Sequence, residues 1–73
     1  MRTAVFKSYK NGYYKFWFEN GEELFFEDVH PRVLKQFDLK KDKSLIDKEF
    51  RITFVEDGKD DDVIYRVESL KPL

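Results

Sequence analysis

Apolar and polar residues alternate with a period of two over three stretches in the first third of the chain. The stretches are Arg2 to Tyr9, Tyr13 to Phe18 and Glu22 to Glu27, all rich in aromatic and β-branched residues. Side chains on an extended chain point alternately to opposite faces, so this pattern predicts three strands. It is interrupted at Pro31, where Val33, Leu34 and Phe37 fall on one side of a short helix over Pro31 to Phe37. Asp28 or His30 stands near its start. A charged connection follows from Asp38 to Asp47, with Leu39, Leu45 and Ile46 as apolar anchors. Alternation returns in Lys48 to Glu56, with Phe50, Ile52 and Phe54 inward and Glu49, Arg51 and Thr53 outward. A turn begins at Asp57-Gly58-Lys59 and extends through Asp60-Asp61-Asp62. A last strand, Val63 to Leu70, turns Val63, Tyr65 and Val67 inward.

Two similar turns fix which side chains share a face. Lys10-Asn11-Gly12 and Glu19-Asn20-Gly21 are read as three-residue hairpin loops with glycine in the left-handed position. In that register Ala4, Phe6, Ser8, Tyr14, Phe16, Phe18, Leu24 and Phe26 form one face. Val5, Lys7, Tyr9, Tyr13, Lys15, Trp17, Glu23, Phe25 and Glu27 form the other. A two-residue loop after Glu19 would put Phe16 with Phe25 and Glu27, mixing charge and large apolar groups on both faces, because a one-residue slip inverts every side chain. The three-residue loop separates them. It also sets Lys7 opposite Lys15, Tyr9 opposite Tyr13 and Val5 opposite Trp17.

The chain has 73 residues, enough for a single domain spanning 1–73. Its order is three strands, a short helix and two strands, an all-β class with one short helix. Five strands can close on themselves and remove exposed edges. A helix between the third and fourth strands favours an OB-fold-like barrel over an SH3-like one, whose helical turn falls before the last strand.

Lys7-Ser8-Tyr9, Gly12-Tyr13-Tyr14-Lys15-Phe16-Trp17 and Leu24-Phe25-Phe26-Glu27 give the front of the chain a distant resemblance to the cold-shock domain. The likeness covers roughly residues 3 to 30. Glu27 stands where that family has a histidine, Lys15 or Tyr14 replaces its second glycine, and the Pro31 helix is not one of its features. The resemblance implies a small OB barrel that binds single-stranded nucleic acid.

Composition narrows the function classes. There is no cysteine, so disulfide and thiolate chemistry are excluded, as suits a reducing compartment. No apolar run is long enough to span a bilayer, and Met1-Arg2-Thr3-Ala4-Val5 passes into a strand without a signal-peptide pattern. A cytoplasmic protein without a membrane partner is expected. The net charge is -1, but charge is blocked along the chain. Residues 1–18 contain bases and no acid, whereas Glu19, Glu22, Glu23, Glu27 and Asp28 form an acidic block. Folding can therefore gather a basic patch despite the neutral sum.

The outer face carries aromatic rings where solvent-facing residues belong. Lys7, Tyr9, Tyr13, Lys15, Trp17 and Phe25 are the candidate nucleic-acid-binding residues: rings stack on bases and ammonium groups neutralise phosphates. Single-stranded RNA or DNA is the expected partner. The alternative is a protein-interaction module or homodimer that buries the same aromatics. Lys40-Lys41-Asp42-Lys43 reads as solvated surface or an extension of a phosphate path, and His30 as a loop residue at the helix start or a base-stacking group. Glu56, Asp57 and Asp60-Asp61-Asp62 lack the spacing of a calcium loop and read as a solvated hairpin tip. Without cysteine, with a single histidine beside proline, and with no motif around Ser8, Ser44 or Ser69, no nucleophile-base set assembles. A non-enzymatic module without metal or cofactor is expected.

Overall fold

The structure is a computed structural model that describes residues 2–59 and 62–73. Strands β1 (Arg2–Lys10), β2 (Tyr13–Phe18) and β3 (Glu23–Phe26) form an antiparallel meander. After Glu27 comes the two-residue strand β4 (Asp28–Val29), then helix α1 (Pro31–Gln36) and a single 3-10 turn over Lys43–Leu45. The chain ends in the long hairpin of β5 (Glu49–Lys59) and β6 (Asp62–Pro72). All six strands belong to one sheet in the order β3-β2-β1-β5-β6-β4.

The all-β class with one short helix therefore holds, but the sheet is six-stranded and is not a closed five-stranded barrel. The difference begins at Glu27, where the expected third strand breaks. Asp28 accepts a hydrogen bond from the Val29 backbone N–H (2.9 Å). Asp28 and Val29 then pair in parallel with Arg66 and Val67 of β6. Among the described residues no hydrogen-bonded ladder joins β3 to β6. The sheet instead curls until its two halves meet through side chains: Phe26 lies 5.2 Å from Phe54 and 6.1 Å from Tyr65 between ring centroids.

The concave face holds the core. Phe6, Phe16, Phe26 and Phe50 are fully buried, together with Ile52, Val33 and Val67. Edge-on and tilted ring contacts run from Phe6 to Phe16 (5.3 Å), Phe16 to Phe26 (5.5 Å) and Phe18 to Phe54 (5.5 Å). Each such ring contributes about 1.5–3 kcal/mol through burial, which is how a short chain offsets its chain entropy. Helix α1 starts at Pro31 and is capped by His30, whose Nδ1 accepts from the Arg32 N–H at 3.1 Å. It sets Val33 into the core and leaves Leu34 and Phe37 half-buried. The connection after it is anchored by Leu39 and Leu45; Ile46, expected to join them, is exposed because the 3-10 turn ends there and turns its side chain outward.

The two turns of similar sequence fold differently. Glu19-Asn20-Gly21 is the expected three-residue loop: the Gly21 N–H donates to the Phe18 carbonyl (2.9 Å), and Gly21 has φ +88°. Lys10-Asn11-Gly12 is not. Lys10 pairs with Tyr13, leaving a two-residue loop of Asn11 (φ 54°) and Gly12 (φ 83°), the primed turn that Asn-Gly favours. The extra residue is absorbed by a bulge at Lys7, between the pairs Phe6–Phe16 and Ser8–Lys15.

The β5–β6 hairpin is longer than its alternation suggests. Asp57, Gly58 and Lys59, expected in a turn, are paired within β5, and β6 already begins at Asp62. Of the expected aspartate turn, Asp60 and Asp61 lie outside the described residues. This arm runs past the core, so Val63, expected to point inward, is 54% exposed. A second bulge, at Glu68, switches parity in β6 and lets Val67 and Leu70 both face the core.

Candidate nucleic-acid interface

The convex face of β1–β3 is built by strand parity. Val5 opposes Trp17, Trp17 opposes Glu23, and Lys15 opposes Phe25. Directly opposed residues share a face, so these side chains stand on the side away from the phenylalanine core. Trp17 and Phe25 are each 48% exposed and Tyr13 41%. Tyr13 meets Phe25 edge-on at 6.3 Å. The Lys15 ammonium lies 5.8 Å from the ring centroids of both Trp17 and Phe25, and that of Lys7 lies 4.4 Å from Trp17. Five of the six expected residues are thus assembled: Lys7, Tyr13, Lys15, Trp17 and Phe25.

Tyr9 is the exception. The bulge at Lys7 changes parity toward the turn, so Ser8 opposes Lys15 and Tyr9 opposes Tyr14. The expected pairs Lys7–Lys15 and Tyr9–Tyr13 do not form. Tyr9 packs its ring 4.6 Å from that of Tyr14 and against the core edge, with the Lys40 ammonium 5.6 Å from its centroid. Burial pushes the Tyr14 hydroxyl above its ordinary value of 10.0, with neighbouring Tyr9 and Asp28 adding to the effect.

Carboxylates complete the face. Glu23 accepts from the Trp17 indole N–H at 2.7 Å and pairs with Lys15 at 3.4 Å. Glu27 accepts a long hydrogen bond (3.5 Å) from the Tyr13 hydroxyl. Lys7 forms a direct ion pair with Asp47, which arrives from the far end of the 38–47 connection. Asp47 is held beside the bulge because its N–H donates to the Phe6 carbonyl (2.7 Å) and its backbone is left-handed (φ 70°). The position of Glu23 across from Trp17 follows from the three-residue loop. That of Asp47 has no local signal in the sequence.

Two shallow recesses flank this end of β1. One is lined by Ser8, Lys10, Asn11, Tyr13, Lys15 and Phe25. The other lies beside Tyr9 and Leu39, and its rim carries Lys40, Lys41, Asp42 and Lys43; Ser8 lines both. Asp42 is turned into its own backbone. It accepts from the Ser44 hydroxyl (2.6 Å) and N–H (3.0 Å), and these hydrogen bonds hold its carboxyl below the ordinary range.

Among the described residues no group of three or more histidine or carboxylate side chains gathers to hold a metal ion, and no helix is long and apolar enough to cross a membrane. No protein-family model, curated protein or solved structure matches the chain. The likeness to the cold-shock domain therefore rests on the residues that suggested it.

Proposed function

We propose that this protein is a small non-enzymatic binding module that holds single-stranded nucleic acid weakly on the convex face of β1–β3. The observation that carries the reading is the exposure of Trp17, Phe25 and Tyr13 around the Lys15 ammonium. Large rings are normally withdrawn from water. Three on one face, next to a cation, form a surface on which bases stack while an ammonium group meets phosphate.

A second reading is favoured by one observation. Lys7 and Lys15 each already have a carboxylate partner, so the face is nearly neutral. A neutral aromatic surface also suits a protein partner or a second copy of the chain.

Titration with a single-stranded oligonucleotide, followed by fluorescence of the single tryptophan, tests the first reading. Binding is expected to change Trp17 emission and to weaken as salt rises. In Trp17→Ala the affinity, measured with a labelled strand, is expected to fall about fivefold or more, since one stacked base is worth about 1–3 kcal/mol. An unchanged emission at low salt and high strand concentration rejects it. Sedimentation of the isolated protein addresses the second reading, because self-association through this face gives a dimer that Trp17→Ala converts to monomer.

A further inference from the structure

Lys7 and Lys15, the lysines that lie over the platform rings, are poor sources of electrostatic attraction. Lys15 is paired with Glu23, Lys7 with Asp47, and Glu27 adds a further negative charge beside Tyr13. A phosphate arriving there replaces a carboxylate and releases little bound salt. Other cations lie next door. Lys40, Lys41 and Lys43 are exposed on the rim of the Tyr9 recess, and among the described residues none has a carboxylate within ion-pair distance. The one acid at that rim, Asp42, is tied to Ser44. Ser8 lines both this recess and the one containing Tyr13, Lys15 and Phe25, so the two adjoin at that residue of β1.

We infer that the basic recess formed by Tyr9, Lys40, Lys41 and Lys43 is a second, phosphate-binding subsite for a nucleic-acid strand whose bases stack on the platform. The inference rests on the reading above and adds a division of labour. Trp17, Phe25 and Tyr13 take bases, while the 38–46 connection takes the phosphodiester backbone and supplies the salt dependence. Tyr9, withdrawn from the platform by the bulge at Lys7, belongs to this subsite. The bulge thus places Tyr9 on the other side of the path from Trp17, Phe25 and Tyr13, rather than all four rings on one face.

The test compares a trinucleotide, long enough only for the platform, with a strand of about ten nucleotides, within the range one such domain covers. Lys40→Gln/Lys41→Gln/Lys43→Gln removes the recess charges. Lys35→Gln/Arg51→Gln/Lys71→Gln removes the same charge from positions that line neither recess. For the longer strand, the first triple variant is expected to bind at least about tenfold more weakly at low salt. The slope of log affinity against log salt is expected to fall by about 2, since each phosphate contact on a single strand contributes about 0.7. Trinucleotide binding is expected to change by less than about twofold. The second triple variant is expected to keep most of the slope.

Equal losses in the two triple variants, or no loss in the first, overturn the inference. If Trp17→Ala still weakens binding in that case, the platform reading stands alone. Binding that is insensitive to Trp17→Ala removes the platform, and with it the strand path proposed here. Absence of binding by the unaltered protein overturns both.

Discussion

Phe16 and Trp17 are adjacent in the chain, yet Phe16 is completely buried and Trp17 is half exposed. The same contrast separates Phe26 from Phe25. Composition alone does not distinguish the two faces of the β1–β3 meander, since both are aromatic. The concave face is covered by β5, β6 and the residues around α1, where Phe26 meets Phe54 and Phe37 meets Phe50 (5.3 Å). The convex face has lysines over its rings and carboxylates at their polar edges, from neighbouring strands and, at Asp47, from the 38–47 connection. Aromatic rings on the two faces therefore have different uses. Those inside stabilise the fold, and those outside remain half exposed to solvent.

The sharpest way to break this comparison is to truncate one ring on each face. Phe16→Ala leaves a cavity in the core and is expected to cost about 3–5 kcal/mol. A domain of this length has only about 4–11 kcal/mol in total, so thermal unfolding should show a very low midpoint or no transition. Phe25→Ala is expected to cost less than about 1 kcal/mol in the same measurement, while weakening strand binding in the fluorescence titration. Equal destabilisation by both substitutions would mean that the convex face is as structural as the core.

A smaller effect is expected at the turns. Gly21 has φ +88°, and a Cβ there would meet nothing within 4 Å. Gly21→Ala should therefore cost only the left-handed backbone term, about 1–2 kcal/mol, read from chemical denaturation. The platform depends on the register this loop sets, so a larger loss accompanied by a changed Trp17 environment would show that the register had slipped.

The smallest expected effect concerns Tyr14, the inner-face neighbour of exposed Tyr13. Its hydroxyl holds its proton more tightly in the folded protein than in the unfolded chain, first through burial and then through Tyr9 and Asp28. The neutral ring contributes fully below the ordinary value near 10, and that contribution is lost as pH rises through the folded value. Stability measured by denaturation should decline in this alkaline window, and Tyr14→Phe should flatten the decline. An identical pH profile in the variant would assign the alkaline loss to other groups.

Much of the candidate site was legible in the sequence, because strand parity is local. Once Glu19-Asn20-Gly21 is read as a three-residue loop, Lys15, Trp17, Glu23 and Phe25 must share a face. Tyr9 was misplaced for an equally specific reason. Unbroken alternation through Lys7 turns Tyr9 outward, and no local feature marks Lys7 as a bulge. The bulge reconciles a two-residue Asn-Gly turn with inward-facing Phe6 and Phe16, so it follows from two demands made at different points along the strand. Asp47 was equally hidden, since it reaches Lys7 through long-range backbone hydrogen bonds that join Asp47 and Lys48 to Phe6.

The sequence by itself determined the strands of the meander, the helix start at Pro31, the second hairpin loop and the outward direction of Trp17 and Phe25. Each follows from side-chain alternation or backbone sterics over a few residues. Only the tertiary structure decided that the sheet stays open, that Glu27 divides two strands, that the platform lysines are neutralised and that Tyr9 joins the 38–46 connection. These outcomes depend on which distant segments meet when the aromatic core closes, and that is settled by packing the whole chain at once rather than by any short stretch of it.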